Sequence, residues 1–174
     1  MKPSSELTAV KLDSEYDRFA WLYNKHWGHF AEDLLPLLKE IGLDHVPSRA
    51  RVLDLCCGTG QLAQILHENG YQVTGVDVSK KMLKFARENA PNCEFIVEDA
   101  RSFKLPSSYH AVFSTYDSLN HIMSLDELKQ VFRSVFSTLQ AGWIFLFDLN
   151  MEKGYKARWQ SSFGIVEEDY ACVI

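Results

Sequence analysis

Short apolar runs alternate with helix-spaced apolar positions through the middle of the chain. Five runs have the length of strands and are apolar almost throughout, at residues 51–55, 72–76, 93–97, 111–115 and 143–147. Continuous apolar strands are typical of a sheet that is buried on both faces, and strands alternating with helices favour parallel pairing. The pattern therefore predicts a doubly wound α/β fold, with a mostly parallel Rossmann-like sheet in the order 3-2-1-4-5 and helices on both faces.

The helices between these strands are marked by residues that start or stop them. A helix over about 61–69 follows the first strand, and a helix that begins after Ser79 follows the second. A third helix opens at Ser124, where the sequence Ser-Leu-Asp-Glu predicts a capping box that pairs Ser124 with Glu127. Its apolar spacing places Leu139 on the inward face.

The segments on either side of this core have different patterns. Residues 1–45 are predicted to form a helical lid, in which an aromatic-rich helix precedes one over about 30–41 that either kinks or begins at Pro36. Residues 50–150 form the predicted core, and residues 151–174 have the pattern of strand, turn and strand. We interpret the whole as a single domain, whose last segment is the start of a substrate-side extension that is cut short.

The composition of the chain argues against some classes of binding partner. The chain has 174 residues, of which 47% are hydrophobic and 24% charged, and its net charge is −5. This acidic balance argues against nucleic acid or an anionic membrane surface as a partner, and the longest apolar run, 143–147, is too short to cross a bilayer. None of the four cysteines forms a C-x-x-C pair, so we expect neither a disulfide framework nor a metal site. We therefore expect a cytoplasmic protein with a small-molecule ligand.

The nine residues from Val52 to Gly60 carry the main chemical signal. An apolar strand that contains Asp54 runs into a glycine-rich turn, and a helix follows. Glycine has no Cβ, so the backbone of this turn can approach a ligand closely, and the first N–H groups of the helix face the same place. A second acid, Asp77, ends the next strand, where a carboxylate can accept hydrogen bonds from both hydroxyls of a ribose. These features predict a nucleoside-containing cofactor at the carboxyl edge of the sheet.

Two classes of cofactor fit the glycine loop. Gly58-x-Gly60-x-x-Ala63 has the form of the dinucleotide fingerprint, which would make the protein an NAD-dependent oxidoreductase. Asp54 argues against that class, because a carboxylate beside a pyrophosphate is repulsive by ~1 kcal/mol or several. The same carboxylate favours a ligand that presents an ammonium group.

This arrangement resembles the class I S-adenosylmethionine-dependent methyltransferases, in particular the small-molecule branch written D-x-x-C-G-T-G. The resemblance covers about residues 16–150 and includes the stretches Asp77-Val78-Ser79-x-x-Met82-Leu83 and Glu98-Asp99-Ala100. It implies S-adenosylmethionine as the cofactor, with Asp54 and the loop at its methionine part, Asp77 at the ribose and Asp99 at the adenine amino group. The cofactor-binding residues that it implies are Asp54, Cys56, Gly58, Gly60, Asp77, Val78, Met82, Asp99, Ala100 and Tyr116, with Tyr16 and Tyr23 from the lid.

One residue of the loop departs from the family pattern. Cys56 stands where the family usually has the first glycine, and we interpret it as a small substitute rather than as a catalytic thiol. In the lid, an aromatic residue such as Tyr16, Tyr23 or Trp27 is implied to cover the methionine end of the cofactor. Packing in the core is the alternative interpretation of these aromatic side chains.

A polar cluster follows the fourth strand, where the family places residues that face the methyl acceptor. We predict Asp117, Asn120 and His121 as catalytic residues, with His121 as the candidate general base. Turn formation is the alternative, because Asp, Ser and Asn favour turns by themselves. Asp148 and Asn150, at the end of the fifth strand, have the same two interpretations.

The functional hypothesis is S-adenosylmethionine-dependent methyl transfer to a nitrogen or oxygen atom of a small molecule. A cofactor-binding protein that is catalytically incomplete or regulatory is the main alternative, and an NAD-dependent oxidoreductase is a weaker one. A sheet that ended at the fifth strand would leave an open edge, which favours a homodimer. We expect a fragment of a longer enzyme instead, because the family usually completes the sheet with two further strands.

Overall fold

The computed structural model describes residues 14, 16–158 and 162–173. Five parallel strands form the central sheet in the order β3-β2-β1-β4-β5. Their bounds are β1 (Arg51–Leu55), β2 (Gln72–Asp77), β3 (Glu94–Val97), β4 (Tyr109–Ser114) and β5 (Leu139–Phe147). The predicted fold class and strand order are therefore confirmed.

Six α-helices, two short 3₁₀ helices (Leu43–His45 and Ser118–His121) and a small hairpin complete the described part of the chain. The helices are α1 (Tyr16–His26), α2 (Phe30–Ile41), α3 (Gln61–Glu68), α4 (Lys80–Asn89), α5 (Leu125–Thr138) and α6 (Glu152–Arg158). Strands β6 (Gly164–Val166) and β7 (Ala171–Val173) pair antiparallel. Helix α2 runs continuously through Pro36, so it does not begin there, and a kink at Pro36 stays a prediction. None of the helices in the described residues is long and apolar enough to span a membrane.

The sheet is covered by helices on both faces, as the continuous apolar strands predict. In β1, Val52 packs with α2, α3 and α4 on one face, whereas Leu53 and Leu55 pack with α5 on the other. All three side chains are fully buried. Because neighbouring residues of a strand point to opposite faces, one short strand joins both halves of the core.

The largest differences from the sequence prediction lie around α5. The predicted capping box does not form: the Ser124 side chain makes no capping hydrogen bond, and Glu127 bonds to Arg101 instead. Leu139, predicted on the inward face of α5, is the first residue of β5. Strand β5 is longer than the predicted apolar run of 143–147, since it already begins at Leu139. It passes through Gly142, which has a φ of 85°. Residues 151–174 contain α6 before the predicted strand–turn–strand.

Candidate functional site

A small cavity lies at the carboxyl end of the sheet, between β1, the segment after β4 and helices α1 and α2. It measures about 30 Å³. Asp54, Cys56 and Tyr116 line it from the side of the sheet, and Tyr23 and Trp27 line it from the side of α1. The structure therefore brings together residues that sequence analysis placed in the loop, after β4 and in the lid.

Asp54 is the most unusual group in this cavity. Its residue is 3% exposed, and its Oδ2 has no hydrogen-bond partner among the described residues. Burial, with a smaller contribution from the nearby Asp77, raises the pKa of Asp54 to about 7. A buried and unpartnered carboxylate oxygen is costly unless a ligand supplies a donor. The ammonium group of an amino acid would satisfy this oxygen and its charge.

The loop after β1 has the backbone shape that its glycines permit. Cys56, Gly58 and Gly60 all have positive φ, of 62°, 53° and 82°. A Cβ added at Gly60 would lie 2.9 Å from Ala86 of α4, so only glycine lets α3 begin this close to α4. Cys56 adopts the conformation that favours glycine, which is a strain of about 1–3 kcal/mol. Burial raises the pKa of the Cys56 thiol, which disfavours the nucleophilic thiolate.

Asp77 connects the loop after β1 to the start of α4. Its Oδ2 accepts a hydrogen bond of 2.9 Å from the Gly58 backbone N–H, and its Oδ1 accepts one of 2.8 Å from Ser79. Ser79 in turn caps α4, since its hydroxyl oxygen accepts a hydrogen bond from the Met82 N–H. The predicted N-cap is confirmed, and the carboxylate predicted to hold a ribose lies next to the glycine loop.

Asp99 is already paired with an arginine that sequence analysis did not consider. Arg101 donates from Nε to Oδ1 at 2.9 Å and from Nη2 to Oδ2 at 2.5 Å, and its Nη1 reaches Glu127. The Arg101 hydrogen bonds lower the pKa of Asp99, so this carboxylate stays ionised and remains an acceptor. The spacing Asp-x-Arg is the local signal that could have revealed the pair. Nearby, Met82 and Ala100 are buried and Val78 is half-buried.

The segment after β4 is strained and tightly bonded. Tyr116 and Asp117 have φ values of 60° and 49°. The Tyr116 hydroxyl is buried without a partner among the described residues, and burial raises its pKa. Asp117 accepts a hydrogen bond of 2.7 Å from the side chain of Asn150, while its own N–H donates to Asp148. Strain held by several bonds at one place is typical of functional sites.

Asn120 joins the ends of β4 and β5. Its side-chain amide donates to the Asn150 carbonyl at 3.0 Å and accepts from the Asn150 N–H at 2.9 Å. Both ends of the amide are therefore bonded to the backbone of one residue. This geometry fits a bracing role, and catalysis by Asn120 or Asp117 stays a prediction.

His121 is the residue of this segment that meets the lid. Its Nε2 shares a hydrogen bond of 2.9 Å with the hydroxyl of Tyr16, and the two rings are 5.3 Å apart in an edge-to-face arrangement. Burial and the charge of Asp117 raise the pKa of Tyr16. On the same helix, Tyr23 stacks on Trp27. Predicted lid and acceptor residues are thus in direct contact.

Helix α1 is fastened to the core by polar residues that sequence analysis missed. Asp17 accepts hydrogen bonds from the Ser79 hydroxyl and the Lys81 N–H at the start of α4. The Asn24 side-chain oxygen accepts from Gln61 at 3.0 Å and from Asn89 at 2.7 Å. Asp17 and Asn24 are seven residues apart, so they share a helix face. In the sequence, two polar residues on one face of an aromatic-rich helix were the signal that could have predicted these contacts with the core.

Comparison with known proteins places these features in a family. The model of a methyltransferase domain matches residues 52–142, which is more than half of the chain. The putative methyltransferase YqeM of Bacillus subtilis is 34% identical over 139 residues, which are 78% of this chain and 55% of that protein.

Among the described residues, no group of three or more His, Cys, Asp or Glu side chains could hold a metal ion.

Two further relatives have names that state an activity. The ubiquinone biosynthesis O-methyltransferase of Xanthomonas campestris is 31% identical over 164 residues, covering 86% of this chain and 67% of its own. The dTDP-3-amino-3,4,6-trideoxy-alpha-D-glucopyranose N,N-dimethyltransferase of Streptomyces venezuelae is 27% identical over 127 residues, covering 73% and 52%. The chain thus spans about half to two thirds of the length of these curated relatives.

A solved structure agrees in fold. The S-adenosylmethionine-dependent methyltransferase from Clostridium acetobutylicum superposes with a TM-score of 0.68 at 24% identity, covering 89% of this chain and 66% of that one. At this identity the likeness establishes the arrangement of strands and helices.

Proposed function

The chain belongs to the class I S-adenosylmethionine-dependent methyltransferases, and from that membership we propose that it methylates a nitrogen or oxygen atom of a small molecule. The unpartnered Oδ2 of buried Asp54 carries the proposal, because it calls for a cationic ligand at the end of β1. When bound, S-adenosylmethionine supplies an electrophilic methyl group on a positively charged sulfur.

The protein's own residues divide the task of holding the cofactor. Asp54 would accept hydrogen bonds from the ammonium group, and the backbone of the loop at Gly58, which has no side chain, would approach the ligand beside it. Asp77 would hold the ribose and the ionised Asp99 would accept a hydrogen bond from the adenine amino group. The same Asp54 charge disfavours the pyrophosphate of NAD.

The contact between Tyr16 and His121 supports a way to remove the acceptor's proton. The raised pKa of Tyr16 disfavours a free phenolate. A concerted transfer avoids it: the acceptor's proton passes to the Tyr16 oxygen while the Tyr16 proton passes to Nε2 of His121. Asp117 and Asn120 position His121 by bracing the segment after β4. Tyr23 and Trp27 exclude water from the cavity.

The acceptor class is supported by the relatives. One is named for O-methyl transfer in ubiquinone biosynthesis and another for N,N-dimethylation of an amino sugar nucleotide. Both acceptors are small molecules that carry a hydroxyl or an amine. Such a group would face the polar cluster after β4, and we propose this class of acceptor for the present chain.

Two further proposals concern the molecule's surroundings. The outer side of β5 and α5 exposes Phe136 and Phe147, by 84% and 41%, and this supports a further partner for the edge at β5, which is either the two additional strands of a longer enzyme or a second copy of the chain. The four cysteines are all free thiols, which fits a reducing compartment such as the cytoplasm.

A turnover assay with paired binding measurements tests the proposed function. We incubate the chain with S-adenosylmethionine and a panel of phenols and amino sugars, and measure S-adenosylhomocysteine formed. His121→Asn and Tyr16→Phe should each lower kcat by ~10²-fold or more, the usual contribution of general base catalysis. The affinity for S-adenosylhomocysteine should change little.

The matched control is His45→Asn, which alters an exposed histidine on the short helix Leu43–His45, away from the cavity. It should leave both turnover and affinity unchanged. Equal losses of turnover and cofactor affinity in the His121 variant would contradict the separation between acceptor and cofactor residues.

A further inference from the structure

The turn of the β6–β7 hairpin is packed against the outer side of α1. Tyr170 lies at this turn, and its ring meets the Trp21 ring edge-to-face at 4.8 Å. Its hydroxyl is hydrogen-bonded to Nε2 of His26, and the Lys25 ammonium lies 4.8 Å from the centre of its ring. Within the described residues, every hydrogen bond and ring contact between the hairpin and α1 involves Tyr170.

The turn holds Tyr170 in place for this contact. The Glu167 N–H donates a hydrogen bond of 2.9 Å to the Tyr170 carbonyl, which closes the loop between the two strands. Tyr170 is partly buried, whereas its neighbours Glu168 and Asp169 are exposed. The hairpin therefore presents one aromatic side chain to the helix.

The opposite side of α1 closes the candidate site. Tyr16 meets His121 there, Tyr23 lines the cavity, and Asp17 and Asn24 bond to the core. Helix α1 is thus held between the core and the hairpin. Tyr16 and Tyr23 lie on the same three-turn helix as the partners of Tyr170, so a displacement of α1 at Tyr170 would also displace them.

The size of the cavity makes the position of α1 important. Sites for small ligands and cofactors usually enclose about 300–1,000 Å³. The cavity under α1 measures about 30 Å³. The part of a ligand that reaches Asp54 must enter this space, so the position of α1, which lines it through Tyr23, decides how much room that part has.

We propose that Tyr170 is a positioning residue that latches α1 over the site and thereby sets how fast the cofactor associates and dissociates. This inference rests on the proposed function only for the identity of the ligand. The latch itself consists of contacts between Tyr170 and α1 that form without any ligand. The same contacts persist whenever α1 is closed, with or without ligand, so the latch slows both the association and the dissociation of the ligand.

The kinetic signature separates a latch from a residue that merely supports binding. In Tyr170→Ala, the association and dissociation rates of S-adenosylhomocysteine should both rise by about tenfold, because an edge-to-face pair and a cation–π contact are lost together. The dissociation constant should stay within about twofold. Stopped-flow fluorescence on the full chain measures both rates.

Three further substitutions serve as controls, one at Tyr170 itself, one elsewhere on the hairpin and one at its partner Trp21. Tyr170→Phe keeps the ring contacts and loses the hydrogen bond to His26, so its rates should fall between those of the wild type and Tyr170→Ala. Val166→Ala changes a side chain on the same hairpin that is 81% exposed, and its rates should equal the wild type's. Trp21→Ala should raise the rates, and adding it to Tyr170→Ala should have little further effect.

Hydrogen exchange tests the latch independently of the ligand. In the ligand-free chain, Tyr170→Ala should speed amide exchange across α1 and leave α5, which packs on the other face of the sheet from α4, unchanged. If the wild type bound no S-adenosylhomocysteine, the proposed function would fail while this exchange measurement still decided the latch. Unchanged exchange in α1, or a dissociation rate that rises alone with a matching loss of affinity, would overturn the proposal.

Discussion

At the scale of single residues, the protonation state of Asp54 has opposite effects on folding stability and on ligand binding. Burial raises its pKa from 3.8 to about 7, so the folded chain holds this proton more tightly than the unfolded chain does. The contribution of Asp54 to the free energy of unfolding therefore falls as pH rises between about 4 and about 7. Ligand binding instead favours the ionised form of Asp54, because an ammonium group is attracted to a carboxylate.

Asp54→Asn should separate these two effects. At pH 8 the variant should be more stable than the wild type by on the order of 3 kcal/mol, since it has no charge to bury. The difference should shrink toward pH 4, as urea denaturation at both pH values would reveal. The same variant should bind S-adenosylhomocysteine ~10–100-fold more weakly.

Asp126→Asn is the matched control, because its side chain is 85% exposed on α5 and should leave both quantities nearly unchanged. A stability difference between Asp54→Asn and the wild type that did not change with pH would contradict the raised pKa of Asp54. An unaffected affinity in Asp54→Asn would show that the buried carboxylate is not the ligand's partner.

The residues of the site differ in how well the sequence predicts them. Asp54, Gly58 and Asp77 follow from local order, because a strand, a tight turn and an acid at the next strand end are short-range patterns. Arg101 was missed although its pairing with Asp99 is local, whereas Asp17 was missed because its partners are set by packing. Asp17, for example, bonds to Ser79, which lies sixty-two residues further along the chain.

At the scale of elements, the start of α3 depends on the absence of a side chain at Gly60. Its φ of 82° is left-handed, and an added Cβ would lie 2.9 Å from both the Cα and the Cβ of Ala86. The backbone of α4 cannot yield as a flexible side chain would. The approach of α3 to α4 also positions the glycine loop against the cavity.

Gly60→Ala should therefore destabilise the chain by about 3 kcal/mol or more, since steric overlap adds to left-handed strain. Gly70→Ala is a control for strain alone, because Gly70 has a φ of 91° with nothing within 4 Å of an added Cβ. It should cost only about 1 kcal/mol. Urea denaturation measures both, and equal losses would refute close packing of α3 on α4.

The termini of elements were harder to predict than their existence. The Ser124 pattern has the right residues for a capping box, yet Glu127 finds Arg101, and a bond to a charged group is stronger than one to a backbone N–H. Likewise, Leu139 continues the apolar period of α5 but pairs with Tyr109 in the sheet. In both cases a contact distant in sequence overrides a local preference.

At the scale of the whole molecule, the alternation of strands and helices was enough to predict the sheet order. Parallel strands need crossovers, and right-handed crossovers leave few arrangements for five strands. The docking of α1 on the core and of the hairpin on α1 could not be predicted in this way. Those contacts join Tyr16 to His121 and Trp21 to Tyr170, pairs that no local pattern connects.

We expect this chain to bind S-adenosylmethionine at the carboxyl end of its sheet. Calorimetric titration with S-adenosylmethionine, S-adenosylhomocysteine and NAD tests it most directly, with Asp77→Ala beside the wild type. We predict micromolar-range binding of the first two ligands and none of NAD, with the variant weaker by ~1–3 kcal/mol because buried polar partners are stranded. Binding of NAD alone, or no loss of affinity in Asp77→Ala, would contradict the account.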